Sequence, residues 1–519
     1  MKDEEGKFTI VKSRTENAVI NTKVVMICQI TSIILGFICR TVFSDLLGTE
    51  YLGINGLFSN ILSVLAFTEL GIGSAMEFRL YSPLAKKSIE IVNKYISVYR
   101  RLYFWIIVIF FLIGICAVKF LPFVVKTSEI DGNITIIYLI FLLDTGFSYF
   151  FAYKKSLLIA DQKSYVVNII MQISLIMKNG VQIIALLIIK SFILYCVIGC
   201  FFTLAGNYFC SLYVDKKYKF IQMQQGIKLE EKERQELIKD LQGLSIRRIS
   251  GTAIGSTDNL FISTFIGLDI IGIISNYKLI IGTISNLQEI LYNSLKASFG
   301  NLYVTSDVES TEKNFKRAFF FNTIIYGYFG IIMLFLLREF ITDVWLSNIF
   351  FLPDGILIVM LIEWIMRGIH IPIFMLGNAM GLFSQNRNIM IISAVCNIIL
   401  DFIFVQTYGV SGLYFATIIC NGLLFARDNY AVYHYGFHKS IFGYYALLGK
   451  WSIGIVISTI LSYLIKAIIT VHGFWGIILK WVLISAAYFV CVLLTNIKND
   501  EFKFFVWLIK VRIIKRYCK

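Results

Sequence analysis

The sequence predicts an all-α polytopic membrane protein of about fourteen transmembrane helices, arranged as two pseudo-symmetric lobes of six with two further helices behind them. Three observations carry this: the composition, the spacing of the apolar runs, and an internal echo between two short turns.

Of 519 residues, 57% are hydrophobic and only 16% are charged, with a mean hydropathy of +0.75. A soluble domain carries about 25% charged residues, so this chain has too little polar surface to wrap one soluble core. The formal charge of +15 would suit a nucleic-acid binder. In a membrane protein, however, a basic excess is first expected in cytoplasmic connections, where it fixes orientation. The ten cysteines, Cys28, Cys39, Cys116, Cys196 and Cys200 among them, lie almost entirely inside apolar runs without metal-ligand spacing. They read as small core residues. The first twenty residues are charged and lack an apolar core followed by a cleavage site, so no removable leader is expected.

A helix needs about twenty apolar residues to cross a bilayer. Runs of that kind fall near 22–45, 52–76, 100–121, 134–153, 165–189 and 192–214. After the charged stretch Asp215 to Gln242 they resume near 245–266, 270–294, 317–337, 354–376, 389–406, 410–430, 443–469 and 474–496. The expected organisation is therefore a cytoplasmic amino-terminal segment (1–21), a first lobe (22–214), a cytoplasmic linker (215–243), a second lobe (244–430), two additional helices (431–496) and a basic cytoplasmic tail (497–519). With the amino terminus inside, the inner connections hold Lys86, Lys87, Arg100, Arg101, Lys154, Lys155, Lys216, Lys217 and the tail "KVRIIKRYCK". About thirty-five basic residues then lie inside against about six outside, the asymmetry that the positive-inside rule requires. Both termini are expected in the cytoplasm, and the outer connections are too short for a catalytic domain. The charged stretch after the sixth span reads as a solvated helix or linker.

The echo lies in the outer turns. "LGTEYLG", Leu47 to Gly53, and "IGLDIIG", Ile266 to Gly272, share glycine, acid and glycine at a constant shift of 219 residues; "LIADQKS", Leu158 to Ser164, resembles "LFSQNRN", Leu382 to Asn388, at a shift of 224. Six spans is an even number, so the two halves form a parallel repeat related by an axis along the membrane normal. Such a repeat places a substrate path between the halves and lets them rock. Transport is the expected function; the competing reading is that duplicated halves simply make a stable bundle.

Ionisable side chains at membrane depth are costly, which makes each one a functional-site candidate. In the first span Thr22, Gln29, Ser32, Gly36, Arg40 and Ser44 share an arc of about 120° at 100° per residue. In the seventh, Arg247, Gly251, Gly255 and Asp258 line a similar face. Glu69, Asp144, Lys178 and Lys278 fall inside other apolar runs. Arg40, Lys178 and Lys278 are candidate cavity cations. Glu69, Asp144 and Asp258 either bind a coupling proton or sodium ion or pair with those bases for structure. "MKNGVQ" around Lys178 admits a turn, but the run from Tyr165 to Met177 is too short to cross alone, which favours a helix through the lysine. His434 and His438 flank a glycine without a carboxylate or cysteine and make a poor metal site. Asn133-Ile-Thr135 matches a glycosylation sequon, a pattern common by chance. There is no phosphate-binding P-loop, so ATP hydrolysis is not expected. The chain reads as a transporter without a cofactor, not an enzyme.

"RTVFSDLLGTEYLGINGLFSNILSVLAFTELGIGSAMEFRLYSPLA", Arg40 to Ala85, resembles the amino-terminal signature of bacterial Wzx-type oligosaccharide flippases, polysaccharide transporters of the multidrug/oligosaccharidyl-lipid/polysaccharide (MOP) superfamily, and "STDNLFISTFIG", Ser256 to Gly267, adds a second match. The resemblance implies twelve core helices in two lobes plus two extra. It also implies a place in the bacterial cytoplasmic membrane, and an undecaprenyl-diphosphate-linked sugar unit carried from the cytoplasmic to the outer leaflet for surface polysaccharide synthesis. A polysaccharide polymerase or glycosyltransferases are the expected protein partners. Arg40 falls where relatives carry a cavity-facing base. The physics suits such a cargo: a diphosphate and a hydrophilic oligosaccharide need a wet path with cations for the phosphates, and the acids offer a compensating charge change. Two alternatives stand beside it. A multidrug exporter of the same superfamily would want an acidic, aromatic cavity. A membrane glycan polymerase would want a large outer loop.

Overall fold

The computed structural model describes residues 14–69, 72–125, 133–220, 230, 231, 233, 235, 257–305, 307–380, 382 and 387–507. Among these there is no strand. The helices are α1 (Arg14–Leu65), α2 (Ile72–Ala85), α3 (Ile89–Ala117), α4 (Ile134–Tyr149), α5 (Ala152–Ala160), α6 (Ser164–Ile189), α7 (Phe192–Lys217), α8 (Asp258–Phe265), α9 (Leu268–Thr305), α10 (Val308–Glu339), α11 (Asp354–Ala379), α12 (Arg387–Ala431), α13 (Phe442–Ile468) and α14 (Gly473–Asn496).

Among the described residues ten helices are long and apolar enough to cross a membrane. Two of them are too long for one span: Lys23–Leu65 has 43 residues and Asn388–Gly436 has 49. Each is broken at a glycine, Gly48 (φ 83°, ψ −172°) and Gly409 (φ 59°, ψ −139°), in conformations that glycine alone adopts readily. Both breaks fall where the sequence placed a connection. The pair α4 and α5, bent by 41°, supplies a further span. Two spans in each long helix and one in the bent pair bring the total to thirteen among the described residues; the remaining expected span, 245–266, lies mostly outside them.

The chain folds as two compact units, Met1–Thr252 and Ala253–Lys519. In the first unit, α1 packs along α6, and α7 packs against both α4 and α6. Asn21 ties α1 to the start of α6, donating to Gln162 O at 3.1 Å and accepting from Tyr165 N at 2.8 Å, and Ser32 Oγ donates to Gln172 Oε1 at 3.0 Å. Ser32, expected on a cavity face, is therefore spent on helix packing. Arg247, Gly251 and Gly255 lie outside the described residues.

Two spans depart from expectation. The second does not run straight through 52–76: α1 ends at Leu65, a 3₁₀ turn covers Ala66–Glu69, and α2 begins at Ile72. The glycines that follow Glu69 weaken a continuous helix there. The fourth does not end at 153 but turns at Phe150–Phe151 and continues as α5, which carries Lys154 and Lys155 on a helix rather than in an open loop.

In the second unit, α11 packs against α9, α10 and α12, and α8 lies on α12. Helices α13 and α14 pack on each other and both on α10. Trp451 and Tyr488 are fully buried there, and Gly327 on α10 makes the approach possible, since a Cβ would stand 2.6 Å from Ile455 Cδ1 and 2.9 Å from Tyr488 Oη. At one end Glu339 accepts Lys480 at 2.8 Å and Lys466 at 3.4 Å.

The two units share backbone singularities at one interval. Gly48 and Gly267 both have positive φ and stand 219 residues apart; so do Lys190 (φ 54°) and Gly409. The contacts repeat too: Phe111 of α3 covers Gly146 of α4, and Tyr326 of α10 covers Gly368 of α11.

Candidate functional site

In the first unit Arg40 projects from α1 and is half-buried. It lies within electrostatic reach of Tyr195 on α7, and its neighbour Cys39 is within reach of Lys178 on α6. Helix α6 is continuous through Lys178, so the turn reading of "MKNGVQ" does not hold. Two of the three expected cations thus stand on helices that pack together. An aromatic group stands beside them: Phe43 meets Tyr195 at 5.0 Å and Phe192 at 5.8 Å between ring centroids, and Tyr51 meets Phe192 at 5.0 Å.

The expected acids of this unit lie elsewhere in it. Glu69 sits in the 3₁₀ break, accepts from Tyr103 Oη at 3.3 Å and acts electrostatically on Lys155. Gly73 leaves room for that arrangement, because a Cβ would come within 3.2 Å of Tyr103 Oη and 3.3 Å of Glu69 Oε1. Asp144 on α4 acts on Cys196 and Cys200 of α7, and its Oδ1 is buried without a hydrogen-bond partner. Sequence reasoning missed the two lysines of α5. Lys154 is buried, donating to Ser211 Oγ at 2.8 Å and to Asp215 Oδ2 at 2.6 Å, and Lys155 donates to Asn207 Oδ1 at 2.6 Å.

In the second unit Lys278 on α9 lies over the Tyr414 ring at 5.7 Å and within electrostatic reach of Asp258 and Glu363. Asp258 opens α8 and is buried. Beside it stands Asp401, fully buried on α12, which accepts from Thr257 Oγ1 and from Asn397 Nδ2, each at 3.3 Å; Asn397 also donates to Thr417 Oγ1 at 3.4 Å. Asp258 and Asp401 act on one another, and Asp258 Oδ1 and Asn397 Oδ1 are both buried without a donor. The cluster holds two carboxylates, an amide oxygen and hydroxyls, with one lysine near. Such a set is short of positive charge and suits a proton or a hard cation with oxygen ligands. Asp401 was there to be found: an acid in the middle of the run 389–406 meets the same criterion that picked out Asp258.

Solved structures share this architecture. Over 91% of this chain and 98% of the other, the protein superposes on "Lipid II flippase MurJ, inward closed conformation" with a TM-score of 0.66 and 18% identity. A multidrug resistance MATE family transporter in its inward-facing conformation matches over 77% and 92% of the two chains, with a TM-score of 0.60 and 12% identity. This is the MOP fold. The MATE multidrug transporter DinF-BH, solved in complex with R6G, shares it at a TM-score of 0.57 and 15% identity over 84% of this chain and all of that one. No family model and no curated protein matches the sequence. The MOP fold is a scaffold of transporters and a flippase in these neighbours, not of enzymes.

Proposed function

We propose that this protein is a Wzx-type flippase that carries an undecaprenyl-diphosphate-linked oligosaccharide from the cytoplasmic to the outer leaflet by alternating access, supplying surface polysaccharide synthesis. It would work in the bacterial cytoplasmic membrane with both termini inside. The observation that carries the reading is that Arg40 and Lys178 stand on two helices that pack together, with Cys39, next to Arg40, in electrostatic reach of Lys178. A diphosphate leaving water needs such cations, because charge-assisted hydrogen bonds are what replace its hydration. The aromatic group beside Arg40 suits the sugar, and the likeness to a lipid II flippase over nine-tenths of the chain supports a lipid-linked cargo. Lys278 is a third cation for the head group. The coupling ion, a proton or sodium, is assigned to Asp258 with Asp401. Glu69 and Asp144 are further candidates for charge compensation. A polymerase or glycosyltransferases would hand the cargo on or supply it.

The test is Arg40→Ala in cells that depend on this protein for a surface glycan. Surface glycan is expected to fall by about tenfold or more, the loss of one or two charge-assisted bonds of about 1.5–3 kcal/mol each. Lipid-linked sugar should accumulate on the cytoplasmic leaflet, and Arg40→Lys should restore part of the export. Wild-type export by Arg40→Ala, with normal amounts of protein in the membrane, sinks the assignment. The likeness to a MATE transporter solved with R6G favours a second reading, export of small organic cations. Dye export with unchanged surface glycans would select it.

A further inference from the structure

The second unit contains a buried ion pair that the reading above does not use. His370 on α11 is 5% exposed, and its Nε2 lies 2.9 Å from Asp428 Oδ2 on α12. Phe425, one turn before Asp428, stacks on the imidazole at 3.8 Å between centroids and 12° between planes. The other ring nitrogen, Nδ1, is buried without a hydrogen-bond partner. Neither protonation state satisfies the ring. The neutral form that donates from Nε2 leaves Nδ1 as an unfilled acceptor, and the imidazolium leaves it as an unused donor. A carboxylate at Nε2 and an aromatic face against the ring are both partners that an imidazolium accepts.

The backbone beside the pair is locally weakened. Pro372 has no N–H to give the carbonyl of Gly368 four residues earlier. That carbonyl is taken instead by Asn322 Nδ2 from α10, at 2.8 Å. One side-chain bond thus stands in for a helical bond one turn from the histidine, the kind of site where a helix bends.

The first unit ties the equivalent helices differently. There the fourth-span base is Lys154 and its acid is Asp215. Lys154 follows Gly146 by eight residues, whereas His370 follows the matching Gly368 by two. His370 stands nine residues before the end of its helix at Ala379 and Lys154 six before the end of its own at Ala160, so the histidine lies about one turn farther from the connection that follows. A permanent cation near the helix end in one unit has a titratable one deeper within the helix in the other.

We propose that His370 and Asp428 form an intramembrane proton-binding site of the second unit, whose charged form ties α11 to α12 and whose neutral form weakens that tie beside Pro372. Other charges are close enough to tune it. On α11 itself Glu363 and Arg367 pair at 3.1 Å. Helix α12 adds Arg427, held over Tyr430, and the π-turn after it adds Tyr433 and His434. Helix α10 presents Asn322 and Tyr326, and α9 adds Glu289, whose charge reaches Tyr326. Among ordinary side chains histidine is the one whose unperturbed charge change falls between about pH 5 and pH 8.

The test uses the full chain in lipid nanodiscs and needs no knowledge of the cargo. The sequence has four histidines, so carbon-13 labelling of histidine gives few signals, and His370→Gln identifies one by its loss. That signal is expected to titrate between about pH 5 and pH 8, and Asp428→Asn is expected to move its midpoint by about one pH unit or more. If His370→Gln does not accumulate, the signal that Asp428→Asn moves serves as the assignment. Amide exchange in the segment around Pro372, corrected for intrinsic rate, should differ between about pH 6 and pH 8 in the wild type. It should cease to differ in His370→Lys, which fixes the cation. A signal that does not titrate, a midpoint indifferent to Asp428→Asn, or an undiminished pH response in His370→Lys each overturns the proposal. None of these outcomes depends on whether the protein flips lipid-linked sugars.

Discussion

Replacing Asp401 by asparagine gives the sharpest test of the ion cluster, because the expected effect has a sign that simple damage does not share. Asp258 and Asp401 are two buried carboxylates acting on one another, with Lys278 as the nearby cation. Neighbouring like charges at an effective dielectric of about 20 repel by about 3 kcal/mol. The amide side chain of Asp401→Asn would keep the shape of the site and an oxygen for Thr257 Oγ1, and would remove the repulsion. In buffer without sodium, at alkaline pH where both carboxyls of the wild type ionise, the variant should therefore melt higher than the wild type, with about 3 kcal/mol as the ceiling of the gain. The wild type can reach the same relief by binding its ion, which stabilises by about 2.7 kcal/mol at about a hundred times Kd. Adding sodium, or acidifying, should raise the melting midpoint of the wild type by several degrees and leave Asp401→Asn nearly where it was. Thermal melting of the purified chain, followed by tryptophan fluorescence in sodium against potassium buffers, reads both effects. An Asp401→Asn protein that is less stable without the ion, and that still responds fully to it, refutes the assignment.

Three other expectations follow from single sites. Gly48→Ala meets no atom within 4 Å, so its cost is conformational alone, about 1–3 kcal/mol for a non-glycine residue in that region, and should appear as a lower melting midpoint without lost contacts. Lys480→Ala removes a buried partner of Glu339; breaking a buried pair costs about 3–5 kcal/mol, and because Lys466 also reaches Glu339 the loss should fall at the low end and shrink further in the double variant with Glu339→Gln. Glu233 of the polar insertion pairs with Lys94 at 2.7 Å: burial acts most strongly and raises its carboxyl, but the Lys94 hydrogen bond and charge together with the Glu230 N–H outweigh it and hold the carboxyl below the usual carboxylate range. A depressed carboxylate contributes stability above its unfolded value and loses it as pH falls through the folded one, so proteolysis of the insertion should rise on acidification below the usual carboxylate range and should be pH-independent there in Lys94→Ala.

The spans were legible because a bilayer imposes a length that apolar runs must meet. α13 and α14 fall within a residue of the runs 443–469 and 474–496, and the glycine breaks fall in the connections. The bends were not legible. Nothing in "FSYFFAYKK" separates a span that ends from one that turns by 41° and carries its lysines on, because only packing against α7 makes Lys154 a buried residue. The single-residue logic that selected Arg40, Lys178, Lys278 and Asp258 picked residues that all lie on helices. It could not say which charges meet, since Asp258 and Asp401 are 143 residues apart in sequence and become neighbours only when α8 lies on α12. The same holds for His370 and Asp428.

The turn at Lys190 has a bearing on how the two units should be compared. Its backbone is left-handed at φ 54° and ψ 32°, a conformation that costs an ordinary L-residue about 1–2 kcal/mol, and its counterpart 219 residues later is the more tolerant Gly409. Only the sign of φ is shared there: ψ is 32° at Lys190 and −139° at Gly409, and the residue type differs. Positive-φ positions and their intervals thus carry a correspondence between the two units that residue identity does not.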